Sequence, residues 1–191
     1  LNTMATMTIE AQEEKLVGLK ALSEIFEIPL KVKSFQNDWI LITYDLPNTK
    51  EGVKTRYEFL NKAKWLGAAQ HTESVYLLPW TDRASMVALE LAISGKVYLW
   101  FTKVRDEQQA ISLTETLDSS LENRIIDLEK RVEKILFHAK KDHVKQVRRM
   151  AESTWEKING IGKAIMETGN ETLASKLYQL IGSLKYAESL V

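Results

Sequence analysis

Two apolar runs that each end in a proline constrain the fold of this chain most: WILITYDLP at residues 39–47 and SVYLLP at residues 74–79. Both are rich in the β-branched and aromatic residues that favour strands. Proline ends each run because it has no N–H to donate to a neighbouring strand. The first run predicts a buried strand over 39–46, and one carboxylate, Asp45, lies at its end.

Helical patterns separate these runs from each other and from a third apolar run, KVYLWFTKV. The predicted elements are a helix over 51–66, strands over 68–71 and 74–79, a helix from about 82 to 94 and a strand over 96–104. Apolar spacing predicts that the first helix turns Val53, Tyr57, Leu60 and either the stem of Lys64 or Trp65 towards the sheet. This order of elements predicts an α+β, ferredoxin-like βαββαβ domain over 39–106, with an antiparallel sheet and both helices on one face.

Helices are predicted on both sides of this domain. Residues 1–38 are expected to form an N-terminal helix over 8–28, packed on the sheet domain or on a partner subunit, and a linker. Residues 113–191 are expected to form a helical extension, which Gly160 and Gly162 interrupt before a last helix begins near Glu171. The extension is either a helical hairpin or a coiled coil between chains. Its heptad seam comprises Leu121, Ile125, Leu128, Val132, Ile135 and Ala139.

The charge and cysteine content limit the classes of function. Lys plus Arg equals Asp plus Glu at 26 each, so nucleic-acid binding would need a local basic patch. The chain has no cysteine and therefore no disulfide or thiolate zinc site. No apolar stretch reaches the ~18 residues of a membrane-spanning helix. We therefore expect a cytoplasmic protein without a membrane partner.

A local basic segment, KKDHVKQVRR at residues 140–149, is the strongest charge feature. It contains one acid, Asp142, and carries a local charge of +4. On a continuous helix, Lys141, Lys145 and Arg148 form one stripe that would contact successive phosphates of DNA or RNA with marked salt dependence. The alternative is a solvated helix face balanced by the acidic region 107–129. The five candidate nucleic-acid-binding residues are Lys140, Lys141, Lys145, Arg148 and Arg149.

Asp45 is the candidate catalytic and metal-binding residue. A strand-end carboxylate can hold a hydrated Mg²⁺ that activates water for phosphodiester hydrolysis, although Asp-Leu-Pro-Asn is also ordinary turn chemistry. His71 is either an acid or base near such a site or a structural residue at the edge of a strand. His138 and His143 are five residues apart, a spacing that separates them on a continuous helix and predicts no metal pair.

The region from residue 39 to residue 104 resembles the N-terminal domain of the chromate-resistance regulator family (ChrB). The shared motifs are W-x-L-x-x-Y-x-L-P at residues 39–47, an Arg-bearing helix (Arg56) that ends in L-G-A, and V-Y-L-L-P at residues 75–79. The same core is similar to the C-terminal domain of the phenylacetate-degradation repressor family (PaaX). It is also similar to the smaller CRISPR spacer-integration protein, whose strand-end Asp and S-V-[FY] motif correspond to Asp45 and residues 74–76.

These resemblances imply two functions. The regulator family implies a homodimeric protein of transcription regulation in chromate resistance, which would bind DNA without cleaving it; this is the function we expect, and the sequence indicates no cofactor for it. The CRISPR-type proteins imply an alternative, a Mg²⁺-dependent endonuclease in which Asp45 of two subunits holds a shared metal. A third alternative is a protein-interaction module whose heptad seam binds a partner helix.

Overall fold

The computed structural model describes residues 16–31, 37–92 and 97–191, and these form two compact units. The sheet unit is the described part of Ser34–Asp127. The helical unit combines the described part of Leu1–Lys33 with Leu128–Val191. The elements in chain order are α1 (Val17–Phe26), β1 (Asp38–Tyr44), α2 (Lys50–Trp65), β2 (Ala69–Thr72), β3 (Val75–Pro79), α3 (Asp82–Ala92), β4 (Val97–Lys103), α4 (Glu107–Ala139), α5 (Val144–Thr168) and α6 (Glu171–Ser189).

The sheet unit contains four antiparallel strands in the order β2-β3-β1-β4. β1 is central, so that Ile42 lies between Tyr76 of β3 and Leu99 of β4. The first apolar run therefore forms the middle of the sheet, and the second forms its neighbour. The prediction of an α+β fold with an antiparallel sheet is confirmed.

One face of the sheet shares a buried core with α2 and α3. Because residues directly opposite in antiparallel strands point to the same side, Ile40 with Leu78 and Ile42 with Tyr76 lie together in this core, and Val97 of β4 joins them. The helix residues that complete it are Phe59, Ala63, Ala84, Val87 and Ala88. This core fixes the end of β1, and with it the position of Asp45.

The helix α2 buries a different face from the predicted one. Val53 and Tyr57 are 51% and 72% exposed, whereas Gly52, Phe59 and Ala63 are buried. A Cβ at Gly52 would clash with the carbonyl group of Pro47, so the first turn of α2 lies directly on the chain that leaves β1. The prediction was wrong for Val53 and Tyr57, whereas Leu60 packs against the core as predicted. Apolar spacing missed Gly52 and Ala63, because their small side chains permit the close contact that sets the buried face.

The strand β4 lies at an edge of the sheet. Three of its aromatic residues, Tyr98, Trp100 and Phe101, are more than half exposed. The indole N–H of Trp100 donates a hydrogen bond to Thr43 Oγ1 at 2.9 Å, and the rings of Phe101 and Trp80 lie 4.8 Å apart between centroids. These aromatic side chains therefore contact neighbours within the unit while they still face solvent.

In the helical unit, α1 packs against α5 and α6. The backbone N–H groups of Gly18 and Leu19, at the start of α1, donate to the two carboxylate oxygens of Glu171 at 2.7 and 2.9 Å. The Ser175 hydroxyl donates to the same carboxylate at 2.7 Å. Because the first N–H groups of a helix have no partner within it, the carboxylate from α6 acts as the cap that Leu16 does not provide.

The helix ends in this unit differ from the predicted ones. The first long helix ends at Ala139, and α5 then runs from Val144 to Thr168 without a break at Gly160 or Gly162. The ring of Phe26 occupies the place where a Cβ of Gly162 would lie, so this glycine permits close packing and does not end the helix. The part of the predicted 8–28 helix before residue 16 lies outside the described residues. All six residues of the heptad seam are buried within the chain.

Candidate nucleic-acid interface

The predicted basic residues surround the connection between α4 and α5. We call this cluster the basic turn. It comprises Lys140 and Lys141 in the connection, and Lys145, Arg148 and Arg149 on the first two turns of α5. All five side chains are exposed, so each is accessible to an anion in solution.

The connection is a tight reversal of the chain. Asp142 has a φ of 56°, in the left-handed region that Asp tolerates better than most residues. The N–H groups of Asp142 and His143 donate to the carbonyl oxygens of Ala139 and His138 at 3.0 and 3.1 Å. These hydrogen bonds use carbonyl groups at the end of α4 that would otherwise have no partner.

Contacts between α4 and α5 show that the two helices form an antiparallel hairpin. Gln146 lies beside His138, and further from the turn Arg131 donates hydrogen bonds to the hydroxyls of Ser153 and Thr154. Residue numbers rise along α5 as they fall along α4, which is the pairing of antiparallel helices. The basic turn is therefore one end of a helical hairpin.

The electrostatics of the basic turn favour an anion. No carboxylate within residues 16–31, 37–92 and 97–191 forms an ion pair with any of its five cations. Lys141 Nζ lies 4.2 Å above the ring of Phe137, a cation–π contact that leaves its charge in place. The first turn of α5 has no acidic residue and no side-chain cap. Because the partial negative charge at the end of α4 lies at the same turn and offsets the partial positive charge at the start of α5, the five cations supply the attraction for an anion.

The structure changes the arrangement predicted for these cations. The predicted stripe assumed a continuous helix, but residues 140–143 lie outside both helices. Lys141 therefore belongs to the turn, while Lys145, Arg148 and Arg149 keep helical spacing on α5. The cations gather at the end of a hairpin and do not extend along one helix.

The same turn brings together two histidines that the sequence placed apart. His138 Nδ1 and His143 Nδ1 are 3.1 Å apart, and Gln146 Nε2 lies 3.0 Å from His138 Nε2. The prediction that spacing separates the two rings was wrong because it also assumed a continuous helix. Asp142, with its tolerance of left-handed backbone, is the residue that signals a turn in this segment.

Asp45 is exposed immediately after β1, at a separate cavity in the sheet unit. The cavity has a volume of about 280 Å³ and is lined by Tyr44, Asp45, Leu46, Asn48, Arg56, Glu73 and Ser74. The Tyr44 hydroxyl donates to the Glu73 carbonyl at 2.7 Å, which holds the β2–β3 turn beside the end of β1. His71, the predicted companion of Asp45, does not line this cavity, whereas Glu73 does.

This cavity combines opposite charges. Asp45 and Glu73 provide carboxylate oxygens, which are the ligands that Mg²⁺ takes while it keeps several waters. Arg56 provides a guanidinium group whose Nη2 donates to the Leu46 carbonyl at 3.0 Å and whose buried Nε has no hydrogen-bond partner in the described part of the chain. The donor set is compatible with a hydrated Mg²⁺, but Arg56 reduces the net negative charge that would attract it.

The fold and these two sites define an α+β protein with a basic helical hairpin. The chain matches no protein-family model, and no curated protein shows significant sequence similarity to it. Among the described residues, no helix has both the length and the apolar character needed to cross a membrane.

Proposed function

We propose that this protein is a cytoplasmic, homodimeric regulator of the chromate-resistance type that binds DNA or RNA through the basic turn without cleaving it. The observation that supports this function best is the set of five exposed cations without carboxylate partners in the described chain, beside the uncapped N-terminus of α5. Such a surface binds phosphate groups and carries no base-specific hydrogen bonds of its own.

The strand order supports the proposed ferredoxin-like assignment of the sheet unit. An antiparallel sheet ordered β2-β3-β1-β4, with helices after β1 and after β3, is the arrangement expected of a split βαβ domain. The resemblance to the chromate-resistance regulators implies the same fold. In this proposal the sheet unit forms the scaffold and the helical hairpin carries the phosphate-binding surface.

The proposed interaction is electrostatic and therefore weak at physiological salt. Each phosphate contact releases condensed counterions, so the logarithm of the binding constant falls with the logarithm of salt concentration by about 0.9 per contact on duplex DNA. Non-specific binding of this type typically has a Kd of roughly 10⁻⁴–10⁻⁶ M. We expect the basic turn to follow this behaviour.

The test is a salt titration of duplex binding by wild type and by the triple variant Lys141→Ala/Lys145→Ala/Arg148→Ala. If the three side chains each contact one phosphate, the slope of the logarithm of the binding constant against the logarithm of salt concentration becomes shallower by about 2.7 in the variant. Its affinity at low salt is expected to fall by at least about tenfold. Fluorescence anisotropy of a labelled duplex measures both quantities.

A matched triple variant separates this local effect from the change in net charge. Lys50, Lys130 and Lys185 are exposed and lie outside the basic turn, so their replacement by Ala removes the same charge from elsewhere. This control is expected to keep most of the slope of the wild type. Equal slopes for wild type and the basic-turn variant would overturn the proposed function.

A second candidate function is a Mg²⁺-dependent endonuclease, which the shared cavity of Asp45 and Glu73 favours. In that case Asp45→Ala abolishes cleavage of DNA or RNA with Mg²⁺ or Mn²⁺, because the variant loses a ligand of the metal. Glu58→Ala is the control, since Glu58 is an exposed carboxylate on α2 outside the cavity lining. Absence of cleavage by the wild type, or a monomeric mass in solution, contradicts this candidate, which requires Asp45 from two subunits.

A further inference from the structure

The histidine pair at the turn has a geometry that ordinary packing does not require. The Nδ1 atoms of His138 and His143 face each other at 3.1 Å, and the rings lie 5.4 Å apart between centroids with a tilt of 34°. Two ring nitrogens approach this closely when they share either a proton or a metal ion. Their convergence is produced by the left-handed Asp142 and by the reversal between α4 and α5.

Gln146 determines where the protons lie. Its side-chain N–H donates to His138 Nε2, so His138 carries its proton on Nδ1 and donates it to His143 Nδ1. His143 therefore has a lone pair at Nδ1 and its own proton on Nε2. A ring nitrogen with a free lone pair is the form that binds a metal ion.

The separation of the two nitrogens matches that of neighbouring ligands on one metal ion. With metal–nitrogen distances of about 2.0–2.1 Å, two ligands are about 2.9 Å apart at a right angle and about 3.3 Å apart at the tetrahedral angle. The observed 3.1 Å lies between these values. We propose that His138 and His143 bind one divalent transition-metal ion, of the zinc, nickel or copper class, through their Nδ1 atoms.

Metal binding needs only a tautomer change, with no net release of protons. The proton of His138 leaves Nδ1 and is carried on Nε2, so that both Nδ1 lone pairs face the ion. Rotation of the Gln146 amide then places its oxygen where its nitrogen lies, and this oxygen accepts the new N–H of His138. Such a hydrogen bond to the second ring nitrogen orients a ligating histidine and makes it a better donor.

The remaining ligands and charges set the class and the affinity of the ion. In the part of the chain that the structure describes, no third His, Cys, Asp or Glu completes a ligand group, so solvent fills the other positions. Imidazole ligands suit zinc, nickel and copper, whereas Mg²⁺ and Ca²⁺ prefer oxygen. The neighbouring cations Lys140, Lys141 and Lys145 oppose a second positive charge and lower the affinity, although their exposure allows salt to screen them.

Calorimetric titration of the untagged 191-residue chain with Zn²⁺ at neutral pH tests this proposal. The wild type is expected to bind one ion per chain. His138→Ala and His143→Ala each remove one of two ligands and are expected to weaken binding at least tenfold. Gln146→Ala removes the orienting hydrogen bond and is expected to weaken binding by about tenfold. His71→Ala is the control, because the chain has three histidines and His71 lies in the sheet unit.

A second measurement on the wild type does not depend on how the variants fold. The imidazole proton resonances of His138 and His143 are expected to shift or broaden on addition of Zn²⁺, while those of His71 stay unchanged. Shifts at His71 alone, no shift at any histidine, or full Zn²⁺ binding by the His138→Ala/His143→Ala double variant would each overturn the proposal. The result is independent of nucleic-acid binding.

Discussion

Replacement of Gly18 by Ala is expected to lower the free energy of unfolding of the helical unit by about 2–4 kcal/mol. A Cβ at this position would lie 2.6 Å from both the Cα and the Oγ atoms of Ser175, and it would clash with the Ser175 backbone nitrogen. Overpacking by one methyl group typically costs about 1–3 kcal/mol, and more when backbone must move. Separation of α1 from α6 would also lengthen the hydrogen bonds from Gly18 and Leu19 to Glu171.

Thermal unfolding followed by circular dichroism measures this loss, and for a chain of this size it corresponds to a Tm lower by roughly 4–15 °C. Gly182→Ala is the matched control. Gly182 lies in α6, and nothing is within 4 Å of the place where its Cβ would be. Because Ala favours a helix over Gly by about 1 kcal/mol, this variant is expected to be more stable than the wild type. The same sign for both substitutions would contradict the close contact at Gly18.

Replacement of Glu171 by Ala is expected to cost about 3 kcal/mol. The carboxylate accepts hydrogen bonds from two backbone N–H groups and from Ser175, and Leu19, which supplies one of them, is completely buried. A buried donor that loses its partner costs about 1–3 kcal/mol, and water cannot replace the carboxylate at Leu19. The negative charge of Glu171 also stabilises the partial positive charge at the N-terminus of α1, and the Ala variant loses this contribution as well.

Chemical denaturation of wild type, Glu171→Ala and Glu171→Gln measures the effect of the carboxylate. The Gln variant keeps one oxygen acceptor and loses the charge, so its stability is expected to lie between those of the other two proteins. Glu152→Ala, an exposed carboxylate on α5, is expected to change stability by less than about 0.5 kcal/mol. A Glu171→Ala variant as stable as Glu152→Ala would show that the carboxylate does not cap α1.

The sheet could be predicted from the sequence because its pattern is local and redundant. The apolar run at residues 39–46 has the length of a buried strand, and Asp38 and Pro47 mark its two ends. A short turn joins β2 to its neighbour β3, whereas β1 pairs with β3 and β4 across helical connections, so the full strand order follows from the βαββαβ arrangement. The spacing of apolar residues therefore predicts the strands without reference to tertiary contacts.

The inward face of α2 could not be predicted from the spacing of its apolar residues. Gly52 and Ala63 are buried because the backbone approaches Pro47 and the sheet closely, while the larger Tyr57 stays in solvent. Gly162 shows the same physical effect in the helical unit, where it packs against Phe26 within a continuous helix. In both helices a small residue marks a close contact. Hydrophobic size alone misplaces part of the inward face of α2, and glycine taken only as a helix breaker predicts a false end within α5.

The candidate sites show where spacing rules fail. The five basic residues are all exposed, but the turn at Asp142 alters their arrangement and brings His138 to His143. Glu73 comes to the cavity of Asp45 because β3 pairs with β1, a contact between residues that are distant in sequence. Contacts of this kind depend on the fold, and spacing along the sequence does not predict them.

The edge strand β4 has a consequence for the behaviour of the protein in concentrated solution. Seven residues, VYLWFTK, form this strand, and Lys103 is the one charged residue among them. Among the described residues, no strand pairs with the outer edge of β4. An edge strand with exposed aromatic side chains and little charge can add a strand from another molecule, which is the first step of aggregation. The solubility of the chain during refolding or heating therefore depends on how well β4 is kept from pairing with other molecules. A charged residue in place of Tyr98 or Phe101 would add a second charge to the strand and is expected to raise this solubility.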